Sequence, residues 1–314
     1  MNFKKNQLVG AIGMTALLAA ATACGNENDN TAEENTNNNG EAEASGESIG
    51  EQVDYEIVGI DPGTGIMDNA EIAIEEYDLD ENWSVLSSSG PVMTAELGEA
   101  IDNEEPVVVT GWQPHWKFME YDLKFLEDPE LVFGEGEDIH TLTRTGLEED
   151  MPGAFPVIDQ FSWEMSDMEE VMMMAEEEDT EVDEAARQWV DDNEDMVAEW
   201  TEGAEEGDGE LIEFTLVNWA DALAATNVVS EVLKDLNYET DLVEVMIDAM
   251  YTGLATDGAD AMFASWLPGQ QQYYDEYEED FVDLGPNTEG TRLGLVVPEY
   301  MDIDSIEDLR ELEE

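Results

Sequence analysis

Positive charge is almost missing from this sequence: 9 Lys and Arg stand against 81 Asp and Glu in 314 residues, for a formal charge of −72. A surface this negative repels phosphate backbones and anionic headgroups, which excludes nucleic acid and electrostatic membrane docking as partners. Cysteine is also scarce. A single one, Cys24, forms no intrachain disulfide, so stability must come from packing. Only His115 and His140 offer imidazole bases, and no Gly-x-Ser-x-Gly elbow occurs, so nucleophilic catalysis has little to work with and the chain reads as a non-enzyme. The longest apolar run, Leu8 to Ala23, is shorter than a membrane span requires.

What is present argues for a folded protein. Hydrophobic residues make up 42% of the chain, with 8 Trp, 9 Tyr and 9 Phe, a composition that can bury a core despite the charge. The acids must then cover a folded surface. At about 1 M salt the screening length falls to roughly 3 Å, where neighbouring carboxylates cease to repel strongly, so nine acids per base point to a protein made for brine. Acid-rich turns such as Glu206-Gly207-Asp208-Gly209 lack the alternating ligands and closing Glu of a calcium loop and read as solvated surface.

The N-terminus supplies an address. Lys4 and Lys5 precede the apolar run, which ends Ala21-Thr22-Ala23-Cys24, so residues 1–23 read as a secretory signal peptide. The small residues before Cys24 resemble the lipobox of bacterial lipoproteins, in which the cysteine is acylated; this implies a lipid anchor through Cys24 on the extracellular face of the cell membrane. Residues 24–50 are nearly all polar or small, without an aromatic, and read as a tether.

Two α/β units follow, expected at 51–135 and 136–314. In the first, Tyr55 to Ile60 alternates as a strand, Asp61-Pro62-Gly63-Thr64-Gly65 forms a turn, Ile66 to Tyr77 has helical spacing, and Pro106 to Thr110 is a strand running into Gly111-Trp112. Residues 137–206 look helical with almost no strand signal, notably Asp167 to Glu178 and Glu184 to Trp200; Met172, Met173 and Met174 fit core packing. Strands are expected at Leu211 to Asn218, Asp241 to Val245, Ala261 to Ser265 and Gly294 to Pro298, with helices at Ala220 to Leu236 and Ala249 to Thr256. Two such units predict two lobes with a ligand cleft between them.

Tryptophan placement narrows the ligand. Trp112, Trp219 and Trp266 each follow a predicted strand, and ligands of open α/β sheets sit outside the carboxyl ends of strands. Core packing is the plain alternative for each. Indole faces attract a quaternary ammonium, which donates no hydrogen bond, by about 0.5–2 kcal/mol each. The turn before Gly65 and Ile66 offers backbone N–H groups at a helix N-terminus, a ready carboxylate site. A zwitterion with a trimethylammonium and a carboxylate suits both features.

The strings Gly59-Ile60-Asp61-Pro62-Gly63-Thr64-Gly65-Ile66-Met67, Gly111-Trp112-Gln113-Pro114-His115-Trp116, Asn218-Trp219-Ala220-Asp221 and Ala264-Ser265-Trp266-Leu267-Pro268 resemble the glycine betaine-binding lipoproteins of ABC-type osmoprotectant importers, in the branch whose two halves are circularly permuted. The resemblance implies a two-lobed, type II periplasmic-binding-protein fold that closes on its ligand. It implies a cage of Trp112, Trp219 and Trp266, carboxylate contacts from the amides of Gly65 and Ile66, no cofactor and no metal, and a membrane permease as partner. Relatives usually carry His where this chain has Gln271, whose amide can also donate to a carboxylate. The expected ligand is glycine betaine or a related betaine such as proline betaine. A choline or carnitine receptor of the same fold is the alternative, and a choline site would call for an acidic group rather than amide donors. A secreted acid-rich hydrolase or an adhesin is the alternative of another class.

Overall fold

A computed structural model describes residues 48–177 and 180–310. The signal peptide, Cys24 and nearly all of the tether lie outside the described residues. No helix among those described is long and apolar enough to cross a membrane.

Nine strands organise the described chain: β1 (Glu56–Val58), β2 (Ser84–Leu86), β3 (Val109–Gln113), β4 (Leu123–Phe125), β5 (Glu137–Arg144), β6 (Leu211–Leu216), β7 (Glu239–Glu244), β8 (Ala261–Leu267) and β9 (Phe281–Pro298). They lie in the order β2-β1-β3-β9-β5-β8-β6-β7, with β4 also on β9. β1 pairs in parallel with β2 and β3, and β6 in parallel with β7 and β8. The mixed α/β class expected from the sequence is therefore the class observed.

The long strand β9 ties the halves together. Its first part, from Phe281 to Thr291, runs antiparallel to β5; its second, from Arg292 to Pro298, runs antiparallel to β3 and β4. Only its last five residues carried a strand signal, because the preceding stretch mixes Asp283, Gly285, Pro286, Asn287 and Gly290. Asn287 and Thr288 are nevertheless buried, with Asn287 Nδ2 donating to Thr141 and to the Phe263 carbonyl.

Three expectations need correction. The stretch 137–144, read as part of a helical segment, is β5: its Asp, His and Thr residues hide the alternation, yet Glu137, Ile139, Thr141 and Thr143 are all buried. Trp112 and Trp266 do not follow their strands but lie within β3 and β8, one residue before the last. Apolar patterning found the start of β8 but set β3 about three residues early, and pairing with β9 and β5 carries both strands through the tryptophans.

Helices flank the sheet. Met165–Glu177, Val182–Asp192 and Glu194–Trp200 form the expected helical region, the last two separated at Asn193. Their buried faces meet in an aromatic cluster: Trp163 and Trp200 both contact Trp189, and Phe161 touches Trp163, Trp200 and Phe263. Edge and stacked ring pairs of this kind add about 0.5–1.5 kcal/mol each beyond area burial. Of the three methionines expected in the core, Met172 is buried while Met173 and Met174 are partly buried; Met168 is buried as well.

The bases among the described residues are all engaged. Arg144 bridges Asp150 and Asp260, Arg187 joins Asp191, Glu231 and Asp235, and Lys124 and Lys234 pair with Asp304 and Glu231. Arg310 pairs with Glu307, Arg292 stacks on Phe125, and Lys117 is wholly buried. Most acids are thus left facing solvent without a basic partner.

Candidate functional site

The Asp61–Gly65 turn follows β1 and ends in the helix Gly65–Glu76, with Thr64 as its N-cap residue. The Thr64 side chain does not cap; its hydroxyl donates to the Asp61 carbonyl at 3.0 Å instead. The first N–H groups of a helix have no intrahelical acceptor, so those of Gly65 and Ile66 remain available. Gly65 packs directly on the turn after β8: a Cβ there would collide with the backbone of Gly269. Tyr273 adds a hydrogen bond from its hydroxyl to the Gly63 carbonyl, at 2.8 Å.

These elements enclose a small cavity of about 40 Å³ lined by Trp112, Trp219 and Trp266, by Thr64, Gly65 and Ile66, and by Glu137, Gly269 and Gln270 among others. Five of the six residues expected to meet a ligand therefore share one space. The sixth does not. Gln271 is exposed at the start of the helix Gln271–Tyr277 and donates to Asp275 at 2.6 Å; its neighbour Gln270, 3% exposed, lines the cavity and accepts from Tyr251. The turn geometry after Pro268 decides which of two adjacent glutamines faces inward, and spacing from Trp266 could not.

The indoles are fixed from behind. Trp219 donates through Nε1 to Asp61 at 3.2 Å, and Trp266 donates to Asp221 at 3.0 Å, while the Trp112 N–H also interacts with Asp221. Each ring is nearly buried, so a donor without an acceptor would be costly, and the acids remove that cost. Asp221 is itself buried, which raises its pKa, while its indole donors and Lys117 draw it back toward the carboxylate. Lys117 lies 4.0 Å above the Trp112 ring centre, and burial holds its pKa well below the usual lysine value. It covers one face of Trp112, leaving only the other to a ligand. His115 packs edge-on against Trp112, accepts from the Lys117 N–H, and is kept neutral by burial.

Glu137 is the one acid lining the cavity. It is 6% exposed, its Oε2 has no hydrogen-bond partner, and burial raises its pKa to about 7, opposed by the Gly269 N–H. Sequence reasoning had no means to select it from 81 acids. Asp61 and Asp221 were visible beside the motifs, but nothing linear showed that they face indole nitrogens. Among the described residues no group of three or more His, Cys, Asp or Glu is placed to hold a metal ion.

A site of caged indoles and free helix amides suits a small, weakly hydrogen-bonding cation or zwitterion. Residues 28–192 and 210–314 match the family described as "Substrate binding domain of ABC-type glycine betaine transport system", and the chain belongs to that family. It is similar to the glycine betaine/carnitine transport binding protein GbuC of Listeria monocytogenes serotype 1/2a (strain 10403S), 47% identical over 265 residues that cover 83% of this chain and 88% of the relative. Among solved structures it matches lactococcal OpuAC in its closed-liganded conformation with glycine betaine, at 37% identity and TM-score 0.42, over 48% of this chain and 59% of that one. It also matches the glycine/betaine/L-proline-binding protein ProX of Borrelia burgdorferi, at 36% identity and TM-score 0.45, over 48% and 57%. In both cases the match spans less than two thirds of the solved chain.

Proposed function

We propose that this protein captures glycine betaine, or a related betaine such as proline betaine, outside the cell for an ABC-type importer. The observation that carries the reading is the convergence of Trp112, Trp219 and Trp266 on one cavity that also holds the free amides of Gly65 and Ile66. The indoles receive the trimethylammonium, and the amides receive the carboxylate. A cavity of about 40 Å³ suits a compact ligand, since a single water already needs roughly 10–15 Å³ by this measure. Size thus favours the smaller betaines.

In this reading β1 to β4 with the second part of β9 form one lobe, and β5 to β8 with its first part form the other. In that reading Trp219 on Asp61, Tyr273 on Gly63 and Gly65 against Gly269 are contacts of the closed form, made between lobes. Opening them releases the ligand to a permease. The signal-peptide pattern and Cys24 support an address on the outer face of the cell membrane as a lipoprotein, and the acid surface suits molar salt. A Cys24→Ala variant recovered in the medium rather than the membrane fraction would support the anchor, and one that stays membrane-bound would count against it.

Calorimetric titration in high salt with glycine betaine, proline betaine, carnitine and choline tests the ligand. Binding of the two betaines ahead of carnitine and choline is expected; no heat from any betaine would overturn the reading. A carnitine or choline receptor is the second reading, favoured by the acidic group in the cavity and by the carnitine in the name of the Listeria relative.

A further inference from the structure

The Glu137 carboxyl meets the Gly269 N–H, yet its Oε2 has no partner, so that contact alone does not explain its place. Glu137 opens β5 opposite Thr291 of β9, and its backbone needs are met there, with the Thr291 hydroxyl donating to the Glu137 carbonyl at 2.8 Å. Its side chain turns instead into the ligand cavity, against Gly269, where a Cβ on that glycine would meet both carboxyl oxygens within 3 Å. Gly269 in turn touches Gly65, so the carboxyl sits beside the helix N-terminus assigned to the carboxylate of the ligand. A buried oxygen without a partner, in a cavity built for a ligand, is an oxygen kept for that ligand.

Resting on the betaine reading, we propose that Glu137 is a ligand-contacting, specificity-determining residue: as the neutral acid its O–H donates to the carboxylate of a betaine, and as the carboxylate it repels that group and favours a cation lacking one. An ionised Glu137 beside a bound carboxylate would place two like charges together in a dry cavity, which the site cannot stabilise. A single proton shared between them removes the conflict.

The groups facing Glu137 leave it free to titrate with the ligand. Thr291 and Leu293 on β9, Gly269 and Gln270 after β8, and Thr64 to Ile66 are all uncharged. Tyr251, behind Gln270, is held protonated by burial, which raises its pKa. Asp138 and Arg292, next along each strand, point to the other face, where Asp138 accepts from the Gly290 N–H and Arg292 lies over Phe125. No nearby charge opposes the effect of burial, so the carboxyl changes state close to neutrality.

The test is titration of the wild-type protein and Glu137→Gln with glycine betaine and with choline, from pH 6 to pH 9 at molar salt. If only the protonated form binds betaine, wild-type affinity falls about tenfold per unit above pH 7, or roughly a hundredfold by pH 9, while choline affinity rises over the same range. Glu137→Gln keeps a donor that does not titrate. Its betaine affinity should stay within about threefold of the wild-type value at pH 6 and remain flat to pH 9. Glu137→Ala, with no donor, should bind betaine more weakly than either at pH 6 and also without pH dependence. Melting curves for each variant separate loss of fold from loss of the contact. A wild-type profile that is flat, or parallel to that of Glu137→Gln, would overturn this proposal and leave the cage standing. Absence of betaine binding by the wild type at every pH would overturn the cage and this proposal together.

Discussion

The two walls of the cavity are built on different principles. The indole wall is assembled from β3, from the N-cap of the helix Ala220–Asp235 and from β8, and each ring is held by an acid distant in sequence: Asp221 for Trp112 and Trp266, Asp61 for Trp219. The backbone wall is local, made by one turn and the first residues of one helix, with Glu137 as its single side chain of variable charge. The first wall therefore depends on tertiary positioning. The second joins a short stretch of chain to Glu137 of β5, and should respond to pH through that carboxyl.

Breaking the indole wall should have the largest effect. Trp112→Ala, Trp219→Ala or Trp266→Ala removes a cation–π contact of about 0.5–2 kcal/mol together with part of the enclosure, so a loss of roughly a hundredfold in betaine affinity is expected for each. Titration followed by intrinsic fluorescence would measure it. Unchanged affinity in all three would remove the basis for the cage.

Gly65→Ala probes the backbone wall and ranks next. The added methyl cannot fit against Gly269 without separating the helix from the turn after β8, and a loss of about tenfold to thirtyfold in affinity is expected, with little change in melting temperature of the unliganded protein. An equal loss of stability without ligand would mean that the contact serves folding rather than binding.

Asp221→Asn sharpens the comparison by loosening the indoles without removing them. Asparagine retains one oxygen for Trp266 but withdraws the charge that faces Lys117, and affinity should fall about threefold to tenfold. A crystal structure of the variant should show Trp112 and Trp266 displaced; unmoved rings with unchanged affinity would show that the acid is not their anchor.

Glu137→Gln has its smallest consequence in the unliganded protein. With a folded pKa of about 7 against an ordinary value near 4.5, Glu137 is neutral in both states below the unfolded value, and its burial costs stability progressively as pH rises from about 4.5 to 7. The cost levels off above that range at something on the order of 3 kcal/mol. The variant should therefore melt several degrees higher than wild type at pH 8 and nearly the same at pH 4. The reverse pattern would mean that the ionised group is stabilised in the fold.

Much of this was legible without coordinates, and the reasons are specific. The strings around Gly65, Trp112, Trp219 and Trp266 keep their order because each serves a local geometry: a Gly-rich turn into a helix, or an indole where a strand gives way to a turn. Helix Gly65–Glu76 and helix Ala220–Asp235 were readable from periodicity to within a residue or two. β5 was not, since Glu137, Asp138, His140 and the threonines obscure an alternation whose buried members include Thr141, paired with Asn287, and Glu137, whose carbonyl accepts from Thr291. Gln271 lies outside the cavity that Gln270 lines, because the direction of a side chain after a turn is not a property of spacing.

By itself, then, the linear sequence determined the surplus of acid, the family and the residue types that line the cavity, since composition and short motifs carry those directly. Which acids would leave the solvated surface and become structural was decided only by the tertiary structure. Asp61, Asp221 and Glu137 are chemically indistinguishable from their many exposed counterparts until packing against indoles or against Gly269 removes their water, and removal of water is what turns a carboxyl into an anchor or a proton-sensitive contact.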